Sequence, residues 1–143
     1  MIVTPTTYNE QARHGWTHEA TIELTDFNDT AATSLTLAVF NVEAGDAVQD
    51  VAVQLVTSLD GGATSATTIT IGDGSDADAY VTATSIHADA TPKTYFQNGG
   101  SGLPGVYTAA DTVDVTFAST GGNLSVLTQG EFKIKARITK INA

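Results

Sequence analysis

Hydrophobic and polar residues alternate with a period of two along most of this chain. Such alternation is typical of β-strands that bury one face. The clearest example is residues 112–117, where Val113, Val115 and Phe117 alternate with threonine and aspartate. The same pattern recurs over residues 132–139, where lysine and arginine occupy the predicted outer face. Both segments are therefore predicted to be strands that cover one side of a core.

Turn-forming residues separate the predicted strands. Glycine, aspartate and asparagine cluster between the alternating segments, and they favour tight turns. Threonine, whose β-branch suits a strand, occurs 24 times. The chain is therefore predicted to be all-β, a single-domain β-sandwich or jelly roll of about eight to nine short antiparallel strands. The predicted strands cover residues 20–25, 35–40, 48–57, 67–71, 80–84, 94–97, 106–108, 112–117 and 132–139.

The start of the chain differs from the rest. Its first residues show no alternation and include the extended dipeptide Thr4-Pro5. We therefore predict an extended N-terminal arm over residues 1–16 and a β-sandwich domain over residues 17–143. Two interpretations of the arm stay open, a frayed terminus and a segment that lies across a neighbouring subunit. Tyr8 and Trp16 favour a contact, because large rings are costly to leave in water.

Charge and composition exclude several classes of function. The net charge is −10, with −13 on residues 1–130 and +3 on residues 131–143. An acidic body argues against binding of nucleic acid, which needs clustered cations. No apolar run approaches the roughly 20 residues that cross a bilayer. The absence of cysteine excludes disulfides and thiolate chemistry and, with no signal-peptide pattern at the start, predicts assembly in a reducing cytoplasm.

The basic C-terminal segment has two interpretations. Lys133, Lys135 and Arg137 alternate with apolar residues, so they share one face of the predicted strand. That face is either simply solvated or docks onto an acidic neighbour, such as another copy of this chain.

Metal-binding patterns are weak in this sequence. Residues 73–78 contain three aspartates, a density that calcium sites use, but the EF-hand spacing of glycine and glutamate is missing. An acidic turn and a calcium site are the two interpretations. His14 and His18 are four residues apart, yet zinc binding at that spacing needs a helix, and Gly15 argues against one. We expect no metal and no cofactor.

Catalytic patterns are equally weak, so we expect that the chain is not an enzyme. Serine and threonine are abundant, but none lies in a G-x-S-x-G nucleophile turn. The acids lie mostly at predicted turns rather than as a pair across a cleft. Sugar binding through exposed aromatic rings is a further alternative, although an exposed ring serves equally well as a protein contact. The candidate rings are Trp16, Tyr80, Tyr95, Phe96 and Tyr107.

Several segments carry a resemblance to a known class of proteins. Residues 47–53, 61–64, 68–78, 106–112 and 120–125, rich in Gly/Asp turns and alternating valine and threonine, resemble small tailed-bacteriophage virion proteins of the head decoration or cement type. The resemblance extends over about residues 17–141. It implies a structural protein of the virion that decorates or cements the capsid exterior by binding the major capsid lattice.

The resemblance also implies partners and a location. The expected partners are the major capsid protein and other copies of the chain, as a homotrimer or another homo-oligomer, without nucleic acid or membrane. The expected location is the capsid surface of a virion assembled in the host cytoplasm. Alternatives are another phage component, such as a head fibre, tail or adaptor protein, and a carbohydrate-binding β-sandwich module. The expected interaction residues are Tyr8, Trp16, Tyr95, Phe96, Lys133, Lys135 and Arg137.

Overall fold

Ten β-strands and two short 3-10 turns make up the regular structure in a computed structural model that describes residues 1–5, 15–88, 94–96, 102–103 and 105–141. The side chains of residues 4–5 and 94–96 lie outside this description. The 3-10 turns are Leu24–Asp26 and Leu124–Val126. The strands are β1 (Ile2–Pro5), β2 (His18–Glu23), β3 (Ser34–Val42), β4 (Asp46–Asp60), β5 (Ala66–Gly72), β6 (Val81–Ser85), β7 (Thr94–Phe96), β8 (Gly105–Val106), β9 (Asp111–Thr120) and β10 (Gln129–Lys140).

The strands form two antiparallel sheets of different width. The wide sheet has the order β1-β2-β10-β4-β7, and β8 also pairs with β4. The narrow sheet has the order β3-β9-β5-β6. All of the strand pairings within both sheets are antiparallel. The predicted all-β sandwich is therefore confirmed.

The core lies between the two sheets. Val113, Val115 and Phe117 of β9 are fully buried, as their alternation predicts, and β10 buries Phe132 and Ile134 opposite them. A single hydrophobic cluster connects the inner faces of both sheets. Alternate residues of each strand therefore meet in one apolar layer, which is the main stabilising interaction of a sandwich.

Aromatic contacts show which strands face each other. The rings of Phe117 and Phe132 lie 5.4 Å apart, which places β9 opposite β10. The rings of His18 and Phe40 also lie 5.4 Å apart and place β3 opposite β2. Since β1 follows β2 in the wide sheet and no described strand follows β3 in the narrow sheet, the wide sheet projects beyond the narrow one on this side.

The sequence located the strands well. Each of the nine predicted segments overlaps one of the strands. The tenth strand, β1, was not predicted, because Ile2–Pro5 shows no alternation. Gly62 occupies the predicted turn between β4 and β5 with a φ of 56°, where a Cβ would lie 2.7 Å from the Val126 side chain. Only glycine fits there without displacing Val126.

Truncation of Phe117 tests the aromatic centre of the core. Phe117 packs against Phe27, with ring centroids 4.9 Å apart, and against Phe132. We expect Phe117→Ala to lower the free energy of unfolding by about 3–5 kcal/mol, because it removes a buried ring and leaves a cavity. Denaturant unfolding monitored by circular dichroism measures the change.

The matched control is the next residue along the strand. Thr116 lies on the outer face, and its hydroxyl pairs with that of Thr36 at 2.9 Å. Thr116→Ala should cost no more than about 1.5 kcal/mol, the value of one exposed hydrogen bond. Equal losses for the two variants would contradict the assignment of faces.

Candidate functional site

The predicted basic surface lies on an interior strand. Lys133, Lys135 and Arg137 project from the outer face of β10, which pairs with β2 on one side and β4 on the other. The Nζ atoms of Lys133 and Lys135 lie 3.4 and 3.5 Å from the two carboxylate oxygens of Glu19 on β2. Both lysines therefore share a carboxylate of the same chain, so their charge is partly neutralised before any partner arrives.

Arg137 differs from the two lysines in its burial and its neighbours. Its register partner on β4 is Asp50, and its Nε is buried without a hydrogen-bond partner among the described residues. Gly15 lies directly over it, since a Cβ at Gly15 would be 3.5 Å from the Arg137 Cδ. Four acids share the outer face of these strands with the three cations, so the face carries no net positive charge. The acids are Glu19, Glu23, Asp50 and Glu131.

The described part of the chain places only some of the residues predicted as aromatic contacts. Tyr8 lies outside the described residues, and Trp16, which is only 6% exposed, lies two residues before the start of β2. Tyr95 and Phe96 belong to β7, where they pair in register with Val53 and Ala52. Tyr95 and Phe96 therefore lie across β4 from the basic residues of β10.

Aromatic rings offer little support for sugar binding. Every aromatic side chain in the described part of the chain is buried. Three of the five proposed sugar-stacking rings, Trp16, Tyr80 and Tyr107, are among them. A stacking platform needs an exposed ring face, so these three residues do not supply one.

A small polar cleft lies beside the turn that follows β5. Its volume is about 310 Å³, and its walls come from that turn and from the β8–β9 connection. The Tyr80 and Tyr107 hydroxyls, which both belong to its lining, form a hydrogen bond with each other. The Tyr107 hydroxyl also donates to Asp73 Oδ2 at 3.0 Å. Asp76 and Asp111 complete the acidic lining.

Asp73 organises this cleft. Its Oδ1 accepts hydrogen bonds from the Ser75 backbone N–H at 2.9 Å, the Ser75 hydroxyl at 2.8 Å and the Asp76 N–H at 3.0 Å. Burial opposes ionisation of Asp73, but the hydrogen bonds from Ser75, Asp76 and Tyr107 outweigh it and lower the pKa of the carboxyl. Asp73 is therefore an ionised acceptor whose lone pairs already hold its own turn.

The two tyrosines stay protonated at neutral pH. Burial raises the pKa of Tyr80 to about 12, against a smaller opposing effect of its bond to Tyr107. Burial, together with the bonds to Tyr80 and Asp73, also raises the pKa of Tyr107. Neither hydroxyl can act as a base near pH 7, and both serve as structural donors.

Among the described residues, which include residues 73–78, no three carboxylate or imidazole side chains converge in a metal-binding arrangement. Asp78 is exposed, and a hydrogen bond with Asp76 together with the charge of that neighbour raises its pKa. The contacts of Asp73 match the interpretation of residues 73–78 as an acidic turn.

His18 has a structural position. It is the first residue of β2, and its ring packs against Phe40 in the core. Burial lowers the pKa of His18, although the nearby Asp46 carboxylate opposes the shift. The other histidine of the considered zinc pair, His14, lies outside the described residues.

The meeting of Tyr80 and Tyr107 could not be found from spacing. The two residues are 27 positions apart, and each is followed or preceded by ordinary turn residues.

Neither of the two helical segments in the described part of the chain is long enough to span a membrane.

Comparison with known proteins gives one informative similarity. No family model matches this chain, and no curated protein matches it. A chain in the solved structure "Cyanophage Pam1 capsid asymmetric unit" aligns with a TM-score of 0.59 and 21% identity, over 82% of this chain and 79% of that chain. The two share a fold. At this identity the similarity establishes the architecture alone.

The lowered pKa of Asp73 predicts a pH dependence of stability. Its contribution is fully present above the usual carboxyl pKa of about 4 and is lost as the pH falls through the lower folded value. We therefore expect wild-type protein to lose more unfolding free energy between about pH 6 and pH 2 than Asp73→Asn does. Urea unfolding at a series of pH values measures both slopes.

The control for this experiment is Asp29→Asn, at an exposed loop position away from the cleft. This variant keeps every contact of Asp73, so it should retain the loss of stability at low pH that Asp73→Asn removes. An Asp73→Asn profile that is parallel to that of the wild type would show that the carboxylate of Asp73 does not stabilise the turn.

Proposed function

We propose that this chain is a non-enzymatic structural protein of a virus particle, which decorates or cements the capsid exterior by binding the lattice of the major capsid protein. The observation that carries the proposal is the fold shared with a chain of a cyanophage capsid asymmetric unit over most of both chains. The step from fold to function is an analogy, and the features of the surface support it independently.

The outer face of the narrow sheet suits contact with protein. It consists of small uncharged side chains, apart from Asp114, and the cores of protein interfaces are likewise poor in charge. Short side chains also lose little conformational entropy when they are covered. The face includes Ser34, Thr36, Ala38, Thr68, Thr70, Ser85, Thr116 and Ala118.

The charge distribution supports the same proposal. A net charge of −10 keeps free copies apart before assembly and disfavours adhesion to packaged nucleic acid. Weak contacts suffice for a cement protein, because repeated binding along a lattice, or by a homotrimer or other homo-oligomer, multiplies their effect. We propose the capsid surface of the virion as its location, after assembly in the host cytoplasm.

The chemistry of the cleft supports a role without catalysis. Asp73 is occupied by hydrogen bonds of its own turn, and the tyrosines that it contacts are protonated. A general base needs a free acceptor with a pKa near the working pH. The cleft provides a fixed turn rather than a proton acceptor for a substrate.

Binding to empty shells tests the proposed function. Purified protein should co-sediment with expanded shells that lack it, in a saturable amount that follows the number of lattice sites. Isolated tails and a glycan array serve as comparison surfaces. Saturable binding to shells with no glycan signal is the expected result. Binding to tails or glycans in place of shells would contradict capsid decoration and favour a tail component or a carbohydrate-binding module.

A further inference from the structure

Next to β3 in the narrow sheet there is one strand position that no described residue occupies. β3 faces β2, and β1 continues the wide sheet beyond β2. In the narrow sheet, β3 is the last strand on that side. The inner side of β1 therefore faces a place where a fifth strand of the narrow sheet would lie, next to β3.

The free edge of β3 is unusually open to pairing. β3 has nine residues, Ser34–Val42, and among the described residues it pairs only with β9. Its sequence SLTLAVFNV contains neither charge nor proline, two of the features that protect an edge strand. One bulge, between Ala38 and Phe40, interrupts the pairing with β9. A row of backbone donors and acceptors thus faces outward beside this place.

Apolar side chains surround the same place. Leu35 and Leu37 are in register with the fully buried Phe117 and Val115, yet they are only partly buried. Val3 of β1 is in register with the buried Ala20, so it shares the inner face, but it is 46% exposed. Burial thus falls off toward the position that a fifth strand would cover.

We propose that an extended segment of the capsid-shell protein adds to β3 as a fifth strand beneath β1. This inference rests on the proposed function, which names the shell as the source. Backbone hydrogen bonds to β3 would supply affinity, and alternate apolar side chains of the segment would cover Leu35, Leu37 and Val3. The segment carries no excess of acidic residues, because this chain is strongly acidic.

The overhang of β1 explains why the occupant is a single strand. If a second sandwich paired its own β3 edge to edge with this one, its wide sheet would meet β1. One extended segment fits beneath β1 without that collision. The geometry therefore favours a flexible arm of a partner over the edge of another folded copy.

A pair of lysine substitutions on β1 tests this inference. Val3→Lys places a charge over the docking position, whereas Ile2→Lys places it on the opposite face, since Ile2 is 58% exposed and in register with Thr21. In the free protein both lysines reach water, so both variants should melt like the wild type. Val3→Lys should weaken binding to empty shells at least about tenfold, because docking would bury an unpaired charge. Ile2→Lys should bind within about twofold of the wild type.

Hydrogen exchange provides a second measurement that needs no variant. On shell binding, amides of residues 34–42 should exchange more slowly, while those of the opposite edge strand, β6, should not change. If wild-type protein binds shells but Val3→Lys binds equally well and β3 exchange is unaltered, the strand-addition proposal is wrong and capsid decoration stands. If wild-type protein does not bind shells, both proposals fail. If Val3→Lys instead abolishes self-association of the free protein, the occupant is another copy and the shell segment is excluded.

Discussion

The packing of Phe117 between Phe27 and Phe132 is the contact on which the rest of the structure depends. It joins the centre of the narrow sheet to the centre of the wide sheet and so fixes which strands face each other. From that alignment follow the position of β3 opposite β2 and the overhang of β1. The exposed apolar residues on that side are thus a consequence of how the core aligns two sheets of unequal width.

The polar groups of the molecule mostly stabilise its own surface. Glu19 contacts both Lys133 and Lys135, and Asp73 accepts hydrogen bonds from its own turn and from Tyr107. Partially exposed ion pairs of this kind add little stability, but they leave no concentrated charge. The unpaired strand edges and the small side chains of the outer faces are then left to contact a partner protein. This agrees with the proposed function of stabilising a capsid lattice.

Sequence patterns predicted the core strands because apolar and polar residues alternate along each strand that buries one face. β1 escaped prediction because Ile2 and Val3 are adjacent apolar residues, and the position opposite Val3 is not filled by a described strand. The pairing of Glu19 with Lys133 joins residues 114 positions apart and depends on the register of β2 with β10. No local sequence pattern predicts that register. The basic residues could therefore be named one by one, but their contacts with other strands could not be predicted.

Electron cryo-microscopy of empty shells saturated with the purified protein would show directly whether and how the chain binds the capsid. We expect density for the sandwich on the outside of the shell, with an extended segment of shell protein beside β3 and beneath β1. A reconstruction at full occupancy with the sandwich on the outside but β3 facing solvent would contradict the docking geometry. A reconstruction without external sandwich density would contradict the role in the capsid.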